Sequence, residues 1–237
     1  MNPIVLGILN LLIYFIIAIS IAFPLRALVK VPEELFRKLL HFILLGSFLV
    51  LSVSFSTWYV TAIVAVAFEI MVYPILMVFE RLKKYSEFTT ERKAGELKTS
   101  LLLVYTMFAV VVTVCWGVFG DKYLALASLY AWGIGDAVAA LIGKKFGKHK
   151  IYARGLDGKK SYEGTVSMFA MSCISVFAIL MARGGLPVLA CVVISLLVGA
   201  VSATVELFSK DGNDTVFCPL AAMAILVPLV YLFGGMR

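Results

Sequence analysis

The sequence predicts an all-α fold: a polytopic membrane protein of about eight spanning helices, with residues 1–237 forming a single integral membrane domain. Three observations carry this reading. Hydrophobic residues make up 62% of the chain and the mean hydropathy is +1.02, whereas soluble domains are roughly 45 to 50% apolar. The charged residues, 15% of the total, stand in short blocks between long apolar runs, each near the roughly 20 residues that cross a hydrocarbon core. Cations crowd alternate blocks, the pattern that orients multi-pass proteins.

The first run, residues 3 to 27, has Arg26 and Lys30 after its apolar part and no basic segment before it, so it reads as a retained helix and not a cleaved signal. The second, 37 to 55, opens with RKLLH. The third, 58 to 79, carries Glu69 at mid-run and Pro74, where a helix kinks and a carbonyl is freed. An ionised carboxylate at that depth costs about 2.5 to 3.5 kcal/mol, so Glu69 faces the bundle or is protonated, either as a functional group or as a structural partner. The fourth run, 99 to 119, follows a mixed-charge connection. The fifth, 122 to 143, carries Asp136 and leads into Gly147; Gly135, Ala139, Gly143 and Gly147 recur every fourth residue, a face suited to close helix packing. Runs at 164 to 182, 186 to 207 and 216 to 234 complete the set.

Eighteen of the 21 Lys and Arg residues fall on the odd-numbered connections, leaving Lys122, Arg183 and Arg237 for the opposite side. The positive-inside rule places the crowded side in the cytoplasm and both termini outside. The opposite connections, near 54–57, 119–122 and 183–186, are tight turns, too short to build a site. The net charge of +7 therefore reflects orientation, and nucleic acid is not an expected partner. Cys115, Cys173, Cys191 and Cys218 show no metal or redox spacing and read as buried small hydrophobes. No internal repeat supports an inverted-repeat transporter.

Chemistry-bearing residues gather on the cytoplasmic side. In RKLLH, Arg37 and His41 share a helical face, an arrangement that suits an anionic ligand; Arg37 and Lys38 equally suit interfacial anchoring. ERKAGE puts Arg92, Lys93 and Glu96 beside Gly95, where a phosphate or a metal fits, as does a plain solvated loop. Asp136 lies about two turns inside the membrane boundary, at a depth where a carboxylate holds a divalent cation beside phosphates or else pairs with another helix.

After Asp136, GKKFGKHK and GLDGKKSYEG place Lys144, Lys145, Lys148, Lys159 and Lys160 among Gly143, Gly147, Gly155, Gly158 and Gly164. Lysines neutralise phosphates, glycine amides cradle their oxygens, and Ser161 and Glu163 open a helix whose N-terminus favours an anion. The plain alternative is a basic loop on anionic headgroups. The stretch is no Walker loop, because Lys160 stands where Ser or Thr must follow Lys159, and no dinucleotide fingerprint, because Val138 stands where its last glycine belongs. Glu206, Asp211 and Asp214 then put three carboxylates on the same side as Asp136, enough for a shared Mg²⁺ site.

From RKLLH to Pro219 the sequence resembles the CTP-dependent lipid-alcohol kinases, the family of dolichol or polyprenol kinase, phytol kinase and yeast-type diacylglycerol kinase, distantly related to CDP-diacylglycerol synthases. The most specific segments are GIGDAVAALIGKKFGKHKI and GKKSYEGT. The resemblance implies that Asp136 is a metal or catalytic carboxylate, that Lys144, Lys145, Lys159 and Lys160 bind CTP phosphates, and that Ser161, Glu163 and Gly164 belong to the nucleotide loop. One departure stands at Thr215, where the family often has asparagine after the carboxylate of Asp214.

Together these readings give an expectation: a kinase that phosphorylates a membrane lipid alcohol, first a polyprenol or dolichol, from CTP with Mg²⁺ at the cytoplasmic face of the bilayer. The expected catalytic residues are Asp136, Glu163 and His41. The expected nucleotide contacts are Lys144, Lys145, Gly147, Lys148, Lys159, Lys160, Ser161, Gly164, Arg37, Lys38 and Arg92, and the expected metal ligands are Asp136, Glu206, Asp214 and Glu96. The membrane is the cell membrane in a prokaryote and the endoplasmic reticulum in a eukaryote. Alternatives are phytol, geranylgeraniol or diacylglycerol as the alcohol, cytidylyl transfer, and ion-coupled transport through Glu69 and Asp136.

Overall fold

The computed structural model describes residues 2–81, 95–152, 158, 160–210 and 212–234. Among them lie eight helices long and apolar enough to cross a membrane: α1 (Pro3–Leu28), α2 (Glu33–Ser54), α3 (Trp58–Phe79), α4 (Glu96–Val112, continued by a wider π-turn segment, Thr113–Val118), α5 (Lys122–Phe146), α6 (Tyr162–Arg183), α7 (Val188–Phe208) and α8 (Asp214–Leu232). No strand occurs among the described residues, whose only sheet-like pairing is an antiparallel bridge between Lys150 and Ser161.

The helix ends differ from hydropathy where polar residues favour a helical terminus. Helix α2 begins at Glu33 and not at residue 37, with Glu33 and Glu34 in its first turn, where their charge complements the helix dipole. Helix α5 runs on to Phe146, which places Lys144 and Lys145 in its last turn, the favourable end for cations. Asp214 is the first residue of α8.

The chain divides into two compact units, Met1–Val110 and Val111–Arg237. The first has an aromatic core. Phe48 stacks on Phe108 with ring centroids 4.3 Å apart, and Tyr105, fully buried, shares a 2.7 Å hydrogen bond with Ser47. Glu69 is buried and accepts a 3.3 Å hydrogen bond from Thr106, so it does face protein. Helices α1 and α3 leave most of their apolar side chains exposed, as lipid-facing helices do.

In the second unit α5 packs on α6, α7 and α8. The small-residue face is its contact with α6: a Cβ on Gly135 would lie 2.5 Å from the sulfur of Met168 and 2.6 Å from Ser172 Oγ. Ser172 Oγ uses that closeness to donate to the Ala131 carbonyl at 2.6 Å. All four cysteines are free, and Cys115, Cys191 and Cys218 are buried.

Candidate functional site

The last turn of α7, the first residue of α8, the body of α5 and the residue before the N-cap of α6 contribute to one cluster. Lys160 immediately precedes Ser161, the N-cap of α6, and its ammonium donates to Glu206 in the last turn of α7. The Glu206 side chain is only 6% exposed, a burial that a carboxylate tolerates when paired. Asp136 from α5 and Asp214 from α8 act electrostatically on both members of that pair. Trp132, one helical turn before Asp136, donates its indole N–H to Asp214 Oδ2 at 3.1 Å. Cys218, buried on α8, feels the same four charged groups.

The Lys160 ammonium titrates above the ordinary lysine range. Burial by itself lowers it, but Glu206 through charge and hydrogen bond, then Asp214 and Asp136, raise it further. The centre thus gathers three carboxylates around the Lys160 ammonium. Among the described residues no three His, Cys, Asp or Glu side chains stand close enough to hold a metal ion by themselves. Any cation held here would take one or two carboxylates and complete its shell with phosphate oxygens or water, as Mg²⁺ does in nucleotide sites.

Beside this centre the expected phosphate loop is tightly built. Ser161 is buried and its Oγ caps α6 by accepting from the Gly164 amide at 3.2 Å. A Cβ on Gly164 would sit 3.2 Å from the Ala139 carbonyl, and one on Gly147 would sit 2.6 Å from Ser161 Oγ. Both glycines therefore let the end of α5 and the start of α6 meet. Lys144, Lys145 and Lys148 are exposed, with Lys145 Nζ 5.1 Å from the Phe146 ring. Glu163 turns to the chain after α5, accepting from the amides of Lys148 and His149 at 3.2 Å each and meeting His149 Nδ1 at 2.7 Å.

The first unit gathers RKLLH and the start of α4. Arg37 pairs with Glu34, three residues earlier, and its Nη1 lies 3.5 Å from Glu96 Oε1. Lys38 is buried, and His41 stands on α2 with its ring 6.3 Å from Phe42. Arg92, Lys159 and Asp211 lie outside the described residues.

Trp132 and Glu34 are participants that sequence reasoning passed over. Each had a local signal: Trp132 is four residues from Asp136 and Glu34 three from Arg37, spacings that put both pairs on one helical face.

The fold and the cluster together define a multi-pass helical membrane protein with a half-buried acidic centre around Lys160. Part of the chain is similar to the phytol kinase of Synechocystis sp., 35% identical over 105 residues, which is 44% of this chain and 43% of that protein. The match spans less than half the length of that curated relative. No family model matches the chain, and no solved structure does.

Proposed function

We propose that the protein is a lipid-alcohol kinase that transfers a phosphoryl group from CTP to an isoprenoid alcohol, of the phytol or polyprenol type, at the cytoplasmic membrane interface, with both termini on the opposite side. The observation that carries the proposal is the clustering of Lys160, Glu206 and Asp214, at or beside the ends of membrane-length helices, with Asp136 from the body of α5. The partial similarity to a phytol kinase supports the choice of acceptor.

A lipid alcohol presents its hydroxyl at headgroup depth, where these helix ends lie in a spanning bundle, and a soluble nucleotide reaches the same depth from the cytoplasm. Phosphoryl transfer needs alignment, neutralisation of charge on the equatorial oxygens, and a destination for the hydroxyl proton. In this proposal Lys160 neutralises phosphate oxygens as a point charge. The exposed lysines Lys144, Lys145 and Lys148 draw the nucleotide in. Asp136 accepts the alcohol proton. Trp132 and Glu206 hold Asp214 and Lys160 in place through the bonds described above. Asp136 and Asp214 would hold Mg²⁺, which would supply positive charge to offset that of the phosphates.

Purified protein given labelled CTP, Mg²⁺ and phytol, geranylgeraniol, a polyprenol or diacylglycerol in turn is expected to label the lipid in at least one isoprenoid reaction and to release CDP. Failure to label any alcohol overturns the kinase proposal, and release of pyrophosphate with a cytidylylated lipid redirects it to cytidylyl transfer.

A further inference from the structure

Lys160 has no helix to fix its backbone, because it lies just outside the cap of α6. Its carbonyl accepts from the Ile151 amide at 3.1 Å, and the neighbouring residues are joined in the same antiparallel manner: the Tyr162 amide donates to the His149 carbonyl at 3.0 Å, with Lys150 bridged to Ser161. The segment that holds Lys160 is therefore residues 147–151. What fixes this segment is Glu163. Its carboxylate gathers the Lys148 amide at 3.2 Å, the His149 amide at 3.2 Å and His149 Nδ1 at 2.7 Å. Hydrogen bonds to an ionised carboxylate are the strong ones, and three from two consecutive residues leave the segment little freedom. The chain of contacts runs from Glu163 through residues 147–151 to the Lys160 carbonyl, and from Lys160 Nζ to Glu206.

We infer that Glu163 and His149 form a clasp that positions Lys160, so that Glu163 is a positioning residue for the phosphate-binding ammonium and not the proton acceptor. This rests on the kinase reading above. The rival role for the pair is contact with the alcohol, since both line a groove of about 500 Å³ with Ile142, Phe146, Tyr162 and Val166. The two roles separate in kinetics: a clasp acting through Lys160 moves the KM for CTP, whereas a groove contact moves the KM for the alcohol.

Glu163→Ala and His149→Ala are each expected to raise the KM for CTP about tenfold, with kcat and the KM for the alcohol within about twofold of wild type. The double variant is expected to be no worse than either single one, because the two residues act as a unit. His149→Asn, which keeps an N–H near the Nδ1 position, is expected to restore most of the loss. In a Lys160→Met background neither alanine substitution is expected to add further loss. Amide hydrogen exchange over residues 147–151, which needs no turnover, is expected to run about tenfold faster in Glu163→Ala.

Unchanged exchange overturns the clasp, and so do additive single-site losses or a rise confined to the alcohol KM. Calorimetric binding of CTP with Mg²⁺ keeps this inference separable from the kinase reading. If wild type labels no lipid yet Glu163→Ala weakens CTP binding tenfold, the clasp stands and the kinase falls. If transfer is normal in both alanine variants, the clasp falls and the kinase stands.

Discussion

The two ends of the α5–α6 pair each bury a cation against a carboxylate, and they differ in how many carboxylates share it. At one end Arg183, 9% exposed, donates through Nε to Asp121 and through Nη1 to the Gly184 carbonyl at 3.0 Å. Asp121 also caps α5 by accepting from the Tyr123 amide at 2.9 Å. One positive charge meets one negative charge, and the carboxylate is further used as a cap. At the other end the Lys160 ammonium is shared by Glu206, Asp136 and Asp214. A balanced pair closes a helix connection and has little attraction for a ligand. A cluster in which three carboxylates share one lysine keeps several carboxylate oxygens in a half-buried place, where a cation carrying phosphates would find ligands. Burial of an ion pair is common to both ends, so burial alone does not distinguish a structural clip from a site.

The sharpest way to break this comparison is Asp136→Asn. It removes one charge from the Lys160 end while keeping the side chain's size, and it is expected to lower transfer about a thousandfold, within the span seen for acid–base groups. The fold is expected to persist, as size-exclusion chromatography and a thermal melt in detergent would show. Retained turnover would remove Asp136 from the centre and leave the two ends equivalent.

The opposite substitution, Arg183→Met, breaks the balanced end. Leaving the half-buried Asp121 without its cation is expected to cost about 3 kcal/mol of stability, read as a lower melting temperature. KM and kcat of the folded fraction are expected to stay within about twofold of wild type, since Arg183 and Lys160 stand at opposite ends of α6. A loss of activity larger than the loss of folded protein would mean that the far end also serves the reaction.

The smallest expected effect is the pH dependence of the Lys160 contribution. The folded-state pKa of this lysine is raised, through Glu206, Asp214 and Asp136 against the opposing effect of burial. A raised lysine contributes stability that is fully present below the unfolded value, about 10.4, and is lost as pH rises through the higher folded value. The melting-temperature gap between wild type and Lys160→Met should therefore be flat from pH 6 to 9 and begin to close only in the alkaline region above the ordinary lysine range. A gap that closes near neutrality would show that the ammonium is not stabilised by the three carboxylates.

Hydropathy and charge placement alone determined the eight apolar segments, their approximate ends, the small-residue face of α5 and the short turns after α2, α4 and α6. These features are local: a run of apolar residues near 20 long and a glycine every fourth position dictate helices and close packing whatever their neighbours. Lys160, Ser161, Glu206 and Asp214 were also legible as polar residues near the ends of apolar runs, and Asp136 as a carboxylate within one. Their partners were not. That Lys160 chooses Glu206, that Trp132 reaches Asp214, and that Glu163 turns to Lys148 and His149 depend on which helix ends meet in space, across separations of 46, 82 and 15 residues. The same holds for Arg183 and Asp121, which the charge count could only assign to the sparsely charged side. Side-chain pairing is a tertiary decision because desolvating a charge is costly, and the chain settles each one against the nearest opposite charge or N–H that packing supplies.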